Sequence, residues 1–532
     1  MKRLLSITTL ALSAVLAACS GGGGSSIVTP PPTGGFSDSS LKGQYAFSIS
    51  GVTANCSGGQ TCGAYAAQTG SFIADGAGNI KSAMEDLVDL AVSPTAEEVT
   101  FASGSYSVQA DGRGTLTLQD SAGNKVTFAM YLQSSGQGFL VETDGLFAAS
   151  GSFNLQTTAD FLANSFNGNY VFDFSGVTLA GSSTNVISII GYIAANGSGL
   201  ITGGVSDTND SNNGPSGAST IAQTNYTLDP VNGTTFGRGT LQFASGYTFA
   251  FYIVDATRIK FIEEDSFGGS SGDGVLQSGA IPTTTAGFTG SFAYLVGGSS
   301  TLGPDASVAR FTVSGPGTIG MISYDENNDG KPLHISQGTN ISDATYAIDT
   351  TNAGSGRGTL TFSDSTSGLT LQYVFYLASP TSGVIQETTS GYVEDGTLLA
   401  QTGSPFTAAG VAGNYVFNWS GVDVSSTGVS PGVENFVGQY ALASSATNNI
   451  SGVADGTILG TRGIAPYPNI GTQGTLTINS GGINNNAYQI VAGSPLSTTY
   501  NFQAYIVDAN TVLVVSADTG RVLAGFVSQQ SQ

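Results

Sequence analysis

The chain has 532 residues, with 36 acidic against 14 basic side chains and a formal charge of −22. That balance disfavours nucleic acid and anionic lipid as partners of the folded part, because polyanionic surfaces repel it. Only 9% of residues are charged, while 76 are glycine, 21 tyrosine and 28 phenylalanine. This composition argues against Lys/Glu-rich surface helices and for strands cut by frequent turns.

Residues 1–18 read as a signal peptide: Lys2 and Arg3, an apolar run from Leu4 to Leu16, then small residues. The run is too short for a membrane-spanning helix. Its end, Leu16-Ala17-Ala18-Cys19, resembles the bacterial lipobox. The resemblance implies that Cys19 is diacylated and becomes the new N-terminus, so that the protein is anchored to a membrane of the cell envelope through lipid. Ser20 in place of Asp implies, by the same resemblance, the outer membrane. Residues 19–40 form a flexible Gly/Ser/Pro tether. Of three cysteines, lipidation takes one. Cys56 and Cys62 remain, and in an oxidising compartment they are expected to form a local disulfide. No zinc site is expected, since the only histidine, His334, lies in a different repeat.

Beyond the tether the chain repeats at intervals of roughly 120 residues. The units open alike: Leu41-Lys-Gly-Gln-Tyr-Ala-Phe, Phe166-Asn-Gly-Asn-Tyr-Val-Phe, Phe288-Thr-Gly-Ser-Phe-Ala-Tyr and Val411-Ala-Gly-Asn-Tyr-Val-Phe. They divide the chain into repeats 41–158, 159–282, 283–405 and 406–532. Asp75-Gly76 and Asn196-Gly197 supply the positive φ of tight hairpins after the second strand. A Gly-Arg-Gly-Thr-Leu turn recurs around Arg113, Arg238 and Arg357, and repeat four offers Thr472-Gln473-Gly474-Thr-Leu in its place. Each unit holds eight strands, the last ending near Gln156, Gln277, Gln401 and Gln529. Eight short-turned strands predict an all-β fold of four tandem antiparallel up-and-down barrels, with β-sandwich repeats as the alternative. The opening Gly-x-Tyr or Gly-x-Phe resembles the Gly-x-Trp of calycin-type barrels, the lipocalins and avidins, which implies the same architecture. Taken whole, the chain resembles repeat-bearing surface lipoproteins of environmental bacteria, a likeness that implies no particular activity. Linkers around 159–164, 279–287 and 403–410 suggest a semi-flexible row of barrels.

The repeats also nominate candidate residues. Repeats one to three carry Arg113, Arg238 and Arg357 together with Glu142, Glu263 and Glu387, whereas repeat four has Gln473 and Ser516. Joint presence and joint loss predict structural Arg–Glu ion pairs. Asp325-Glu-Asn327-Asn-Asp329-Gly330 begins like a calcium loop, but the twelfth position is Ser336 and no helices flank it. Asp325, Asn327 and Asp329 therefore stand only as a weak calcium candidate, and no metal or cofactor is expected. Gly268-Gly-Ser270-Ser-Gly272 spells a nucleophile elbow but reads as a Gly/Ser loop. Tyr170, Phe172 and Phe174, like Tyr415, Phe417 and Trp419, alternate at period two and should fill barrel interiors. One histidine and few charges leave little for acid–base catalysis, so no enzyme is expected. The expected function is a monomeric structural or adhesive display protein meeting surface glycans or other envelope components. The alternative is binding of a sugar or lipid fragment in the barrel mouths.

Overall fold

The computed structural model describes residues 35–55, 61–181, 183–336, 341–365, 368–425, 432–444, 448–460, 463–479 and 486–531. Cys19 and Cys56, and the side chain of Cys62, lie outside the described residues, so the lipid anchor and the disulfide remain sequence expectations.

The protein is all-β and forms four closed antiparallel eight-stranded barrels in tandem. Barrel 1 runs through Lys42–Asn55, Thr61–Asp75, Asn79–Asp89, Ser93–Val108, Arg113–Asp120, Lys125–Ser134, Gln137–Glu142 and Phe147–Leu155, and the first strand pairs with the eighth to close it. Barrel 2 runs from Asn167–Ala180 to Gly268–Leu276, barrel 3 from Ser291–Ser300 to Tyr392–Ala400, and barrel 4 from Gly413–Asp423 to Arg521–Gln529. Closure pairs the first strand with the eighth and so removes the edges that a sandwich would have to protect by other means. The hairpin between the second and third strands of barrel 1 forms where Asp-Gly demands it: Asp75 Oδ1 accepts the Ala77 and Asn79 amides at 2.7 and 3.1 Å, and Gly76 adopts φ +82°.

The fourth strand separates the barrels into two kinds. It is continuous in barrels 1 and 4 (Ser93–Val108 and Gly463–Leu476) but broken in barrels 2 and 3, into Gly214–Ile221 and Thr224–Leu228, and into Lys331–Ser336 and Ile341–Ile348. Thr472–Leu476 ends the fourth strand of barrel 4, where Gly474 pairs with Ile450 of the third. The segment is therefore not the counterpart of the arginine turns, which open the fifth strand in the other barrels. Gly268–Leu276 is likewise a strand, not a loop, and Ser270 Oγ donates to Glu263 at 2.7 Å.

Period-two alternation sends one set of side chains into each barrel and the other set outward. Inside barrel 1, Tyr45, Phe47, Phe72, Phe128 and Phe153 interlock. Phe172 and Phe174 point into barrel 2, and Phe417 stacks on Trp419 at 4.0 Å in barrel 4. The outward set joins the barrels. Ala46, Met84, Tyr252 and Val254 pack between barrels 1 and 2, and Val171, Ile190, Val374 and Tyr376 between 2 and 3. Leu295, Val308, Leu513 and Val515 join 3 and 4, and Val416, Val437, Ala129 and Val141 join 4 back to 1. At every seam the first strands of one barrel meet the sixth to eighth of the next. Each fully buried Val, Leu or Ile there is worth about 1.5–3 kcal/mol relative to exposure.

The four seams close a ring instead of the semi-flexible row that the linkers suggested. Each connector repeats one device. The amides of Thr157, Ser278 and Thr402 donate to Val254, Ala378 and Val507 of the following barrel, and that of Ser531 donates to Gln133 of barrel 1. The adjoining glutamines do the same through their side chains. Gln156 reaches Ile253 O at 2.6 Å, Gln277 Leu377 O at 2.9 Å, Gln401 Ile506 O at 2.7 Å and Gln530 Leu132 O at 2.8 Å.

Candidate functional site

The three arginines flagged by the repeats sit in the seams. Arg238 grips Asp86 of barrel 1 with two bonds of 2.9 and 2.8 Å. Arg357 grips Asp207 of barrel 2 with two of 2.8 Å. Arg113 grips Asp455 of barrel 4 at 2.8 and 2.7 Å. The planar guanidinium matches a carboxylate at both oxygens, which fixes orientation as well as distance. In each case a tyrosine hydroxyl from the sixth strand donates to the same aspartate: Tyr252 to Asp86, Tyr376 to Asp207 and Tyr131 to Asp455. At the seam of barrels 3 and 4 Tyr505 donates to Asp325 at 2.5 Å, and the ion-pair partner is His334 Nδ1 at 3.0 Å.

The predicted Arg–Glu pairs are therefore corrected. Glu142, Glu263 and Glu387 are buried within their own barrels and face no arginine. Gln68 donates to Glu142 at 2.7 Å. Burial pushes Glu142 well above the usual carboxylate range, and Glu263 and Glu387 up to about 8, so these side chains are neutral acids. A neutral buried carboxyl needs a hydrogen bond, not a cation.

The calcium candidate is dispersed in the same way. Asp325 is taken by Tyr505 and His334, while Asn327 Nδ2 donates across the seam to the carbonyls of Ser516 and Arg521, both at 2.8 Å. Residues two apart on a strand share a face, and here that face is the seam. Asp329 stands in the turn, 3.0 Å from Lys331 Nζ. Among the described residues no group of three or more His, Cys, Asp or Glu is placed to hold a metal ion.

Sequence reasoning missed what the ring encloses. Outward faces of the first, seventh and eighth strands converge on one axis, around a cavity of about 640 Å³ to which all four barrels contribute. A second chamber of about 450 Å³ adjoins it and shares Ser50, Ser150, Ser175 and Asn418. The lining mixes hydroxyl, amide and glycine groups with apolar side chains such as Ile49, Phe139, Val171 and Phe526, and carries two charged clusters. Lys260 Nζ lies 3.2 Å from both Asp273 Oδ1 and Ser152 Oγ, and Arg258 Nε lies 3.7 Å from Asp273 Oδ2. Burial lowers the Lys260 pKa against the pull of Asp273. Burial also opposes the Asp273 charge, but the two cations outweigh it and hold that carboxyl below its usual range. Asp173 of barrel 2 and Asp395 of barrel 3 face each other across the seam. Burial, then mutual repulsion, drives Asp173 well above its usual range, and burial raises Asp395 against its hydrogen bonds to Asp173 and Ser188. Two carboxyls so placed share a proton. The cavity thus offers hydroxyls, amides, apolar side chains and one Lys–Asp pair, with Lys260 also within hydrogen-bond distance of Ser152. The available signal was the period-two Ser/Asn pattern of the first strand (Ser48 and Ser50, Asp173 and Ser175, Asn418 and Ser420), outward and polar beside an aromatic inward face.

Fold and site together define a ring-forming, four-barrel all-β protein with an axial cavity of mixed polar and apolar lining. Among solved structures, the chain is similar to transferrin-binding protein B of Haemophilus parasuis Hp5, at 8% identity over 92% of this chain and 97% of that one, with a TM-score of 0.18. It is also similar to the isotype 1 transferrin-binding protein B of serogroup B Neisseria meningitidis, at 11% identity over 75% and 84%, with a TM-score of 0.19. Scores this low leave the arrangement of the barrels, and any activity, to be read from this chain alone. No protein-family model matches the chain, and no curated protein matches it. Among the described residues no helix is long and apolar enough to cross a membrane.

Proposed function

We propose that this protein is a non-catalytic display and adhesion protein of the bacterial cell envelope, held to the outer membrane by lipid on Cys19. In this reading the ring axis receives a sugar unit of a surface glycan. The observation that carries it is ring closure. Four non-identical repeats locked by one seam bring their outward faces to a single axis, creating one cavity that no barrel owns alone. A preorganised cavity on a rigid body loses little entropy when it captures a ligand. The low charge of the chain, and the Asp273 carboxylate that holds Lys260 as an ion pair beside Ser152, favour recognition over chemistry.

Two measurements test the reading. Cys19→Ala should move the protein from the membrane pellet to the soluble fraction. On a glycan array the wild-type chain should bind a subset of sugars, and Asp273→Asn should weaken that binding at least tenfold. Wild-type protein that is soluble without detergent, or an array with no binding, would refute it. The alternative of ligands in the barrel mouths is favoured by one observation, which concerns barrel 2 alone.

A further inference from the structure

Barrels 2 and 4 carry the same internal pocket at the same place, open in one and filled in the other. Strand register equates its linings residue by residue. Phe174 and Ile189 of barrel 2 pair with each other as Trp419 and Phe436 do in barrel 4, and Ser206, Ser219 and Tyr247 stand where Ala454, Ile470 and Tyr500 do. In barrel 4 the indole of Trp419 stacks on Phe417 at 4.0 Å and meets Phe502 at 4.7 Å, leaving about 10 Å³. In barrel 2 the pocket measures about 250 Å³. Smaller side chains at the Trp419 and Phe436 positions open the space, and the break in the fourth strand after Ile221 lies at its edge.

We infer that the mouth of barrel 2 is a binding site for a small neutral aromatic molecule bearing a hydroxyl or ring N–H group. Its floor is a stack of Phe172, Phe174 and Phe249, with ring centroids 4.6 and 4.5 Å apart. The facing wall carries the hydroxyls of Ser206, Thr208, Ser219 and Ser245. Aromatic faces on one side and hydroxyl groups on the other select a flat ring with a polar edge. Barrel 4 shows the shape that completes this fold position, an indole supplied by the chain itself. The volume is ample, since an apolar cavity of roughly 150 Å³ suffices for benzene. No Lys, Arg, Asp or Glu lines the pocket, so a charged ligand has no partner there. This site is separate from the axial cavity and stands whether or not glycans bind at the axis.

The test is calorimetric titration of the full chain in detergent with indole and with phenol, using octanoate and methyl glucoside as competitors. Saturable binding of indole or phenol is expected. Phe174→Trp combined with Ile189→Phe, the pair of rings present in barrel 4, should weaken it at least tenfold with the β-sheet circular dichroism unchanged. Ser219→Ile, a surface-accessible change that also copies barrel 4, should weaken it several-fold and covers the case in which the double variant fails to fold. Absence of indole and phenol binding at millimolar concentration, undiminished binding in the filled variants, or tighter binding of octanoate or methyl glucoside at this site would overturn the assignment.

Discussion

Arg238→Gln isolates what holds one seam of the ring. The guanidinium is 6% exposed and the Asp86 carboxylate 1%, and they share two bonds of 2.9 and 2.8 Å. Removing one member of such a pair leaves a buried, uncompensated charge, a loss of about 3–5 kcal/mol. Tyr252 still donates to Asp86 in the variant, at 2.6 Å, and Asp229 and Glu264 lose the cation they also contact. We therefore expect about 3–4 kcal/mol for Arg238→Gln, about 3 kcal/mol for Asp86→Asn, and a double variant milder than the sum by on the order of 2 kcal/mol. Arg238→Gln with Glu263→Gln should instead be additive within about 0.5 kcal/mol, because those side chains share no partner. A four-barrel ring need not unfold in one step. Local opening free energies from native-state hydrogen exchange in Thr61–Asp75 and Thr248–Asp255 are therefore the proper assay. Additive losses for Arg238 and Asp86, or coupling between Arg238 and Glu263, would refute the seam as described.

Three further outcomes follow from the same geometry. Glu387 has a folded pKa of about 8, raised by burial, against an unfolded value near 4.3, so its stabilising share is complete below about pH 4 and is lost as pH rises toward 8. Glu387→Gln should match wild type near pH 4 and exceed it at pH 8 by on the order of a few kcal/mol, read from thermal melts at both pH values. His334 is raised above its ordinary value by Asp325, so its contribution is present below about pH 6.5 and fades as pH climbs through the folded pKa. Exchange protection at the seam of barrels 3 and 4 should drop between pH 6 and pH 8.5 while the Arg357 seam stays constant, and His334→Gln should erase the difference. Gln530→Ala removes bonds to the carbonyls of Asp111 and Leu132 and should cost about 1–2 kcal/mol, seen as faster exchange in Lys125–Ser134.

The eight-strand repeat and its hairpins were legible because they are local. Alternation and Asp-Gly turns act over a few residues, and the structure places Asp75 and Gly76 as that chemistry requires. The arginines were legible as special, but their partners were not. Repeat four lacks both the arginine turn and the glutamate, so joint loss pointed to Arg–Glu pairs. The aspartates Asp86, Asp207, Asp325 and Asp455 recur in all four repeats, and three of them, Asp86, Asp207 and Asp455, lie one repeat earlier than the arginine they bind, with barrel 4 serving barrel 1, while Asp325 pairs with His334. A pairing between repeats is silent in a comparison within them. Asp325-x-Asn327 looked like cation ligands because spaced oxygens serve a seam as well as a metal. The axial cavity was illegible because it exists only once the ring closes.

Ring closure itself makes the number of repeats a physical constraint. One seam, used head to tail, generates a closed ring only when its rotation divides the circle, which for four barrels is about a quarter turn each. Excising residues 159–282 would let barrel 1 meet barrel 3 through matching seam faces, yet three such turns stop short of closure. Two faces would then lie open, one carrying Val416, Val437 and Val453 or their equivalents and the other Ala129, Tyr131 and Val141. Exposed apolar faces of complementary shape associate. The three-barrel chain should therefore run as oligomers by size exclusion with light scattering, at concentrations where the intact chain is monomeric. A soluble three-barrel monomer would mean that the seams bend freely, and the axial cavity would then lose its claim to be a preorganised site.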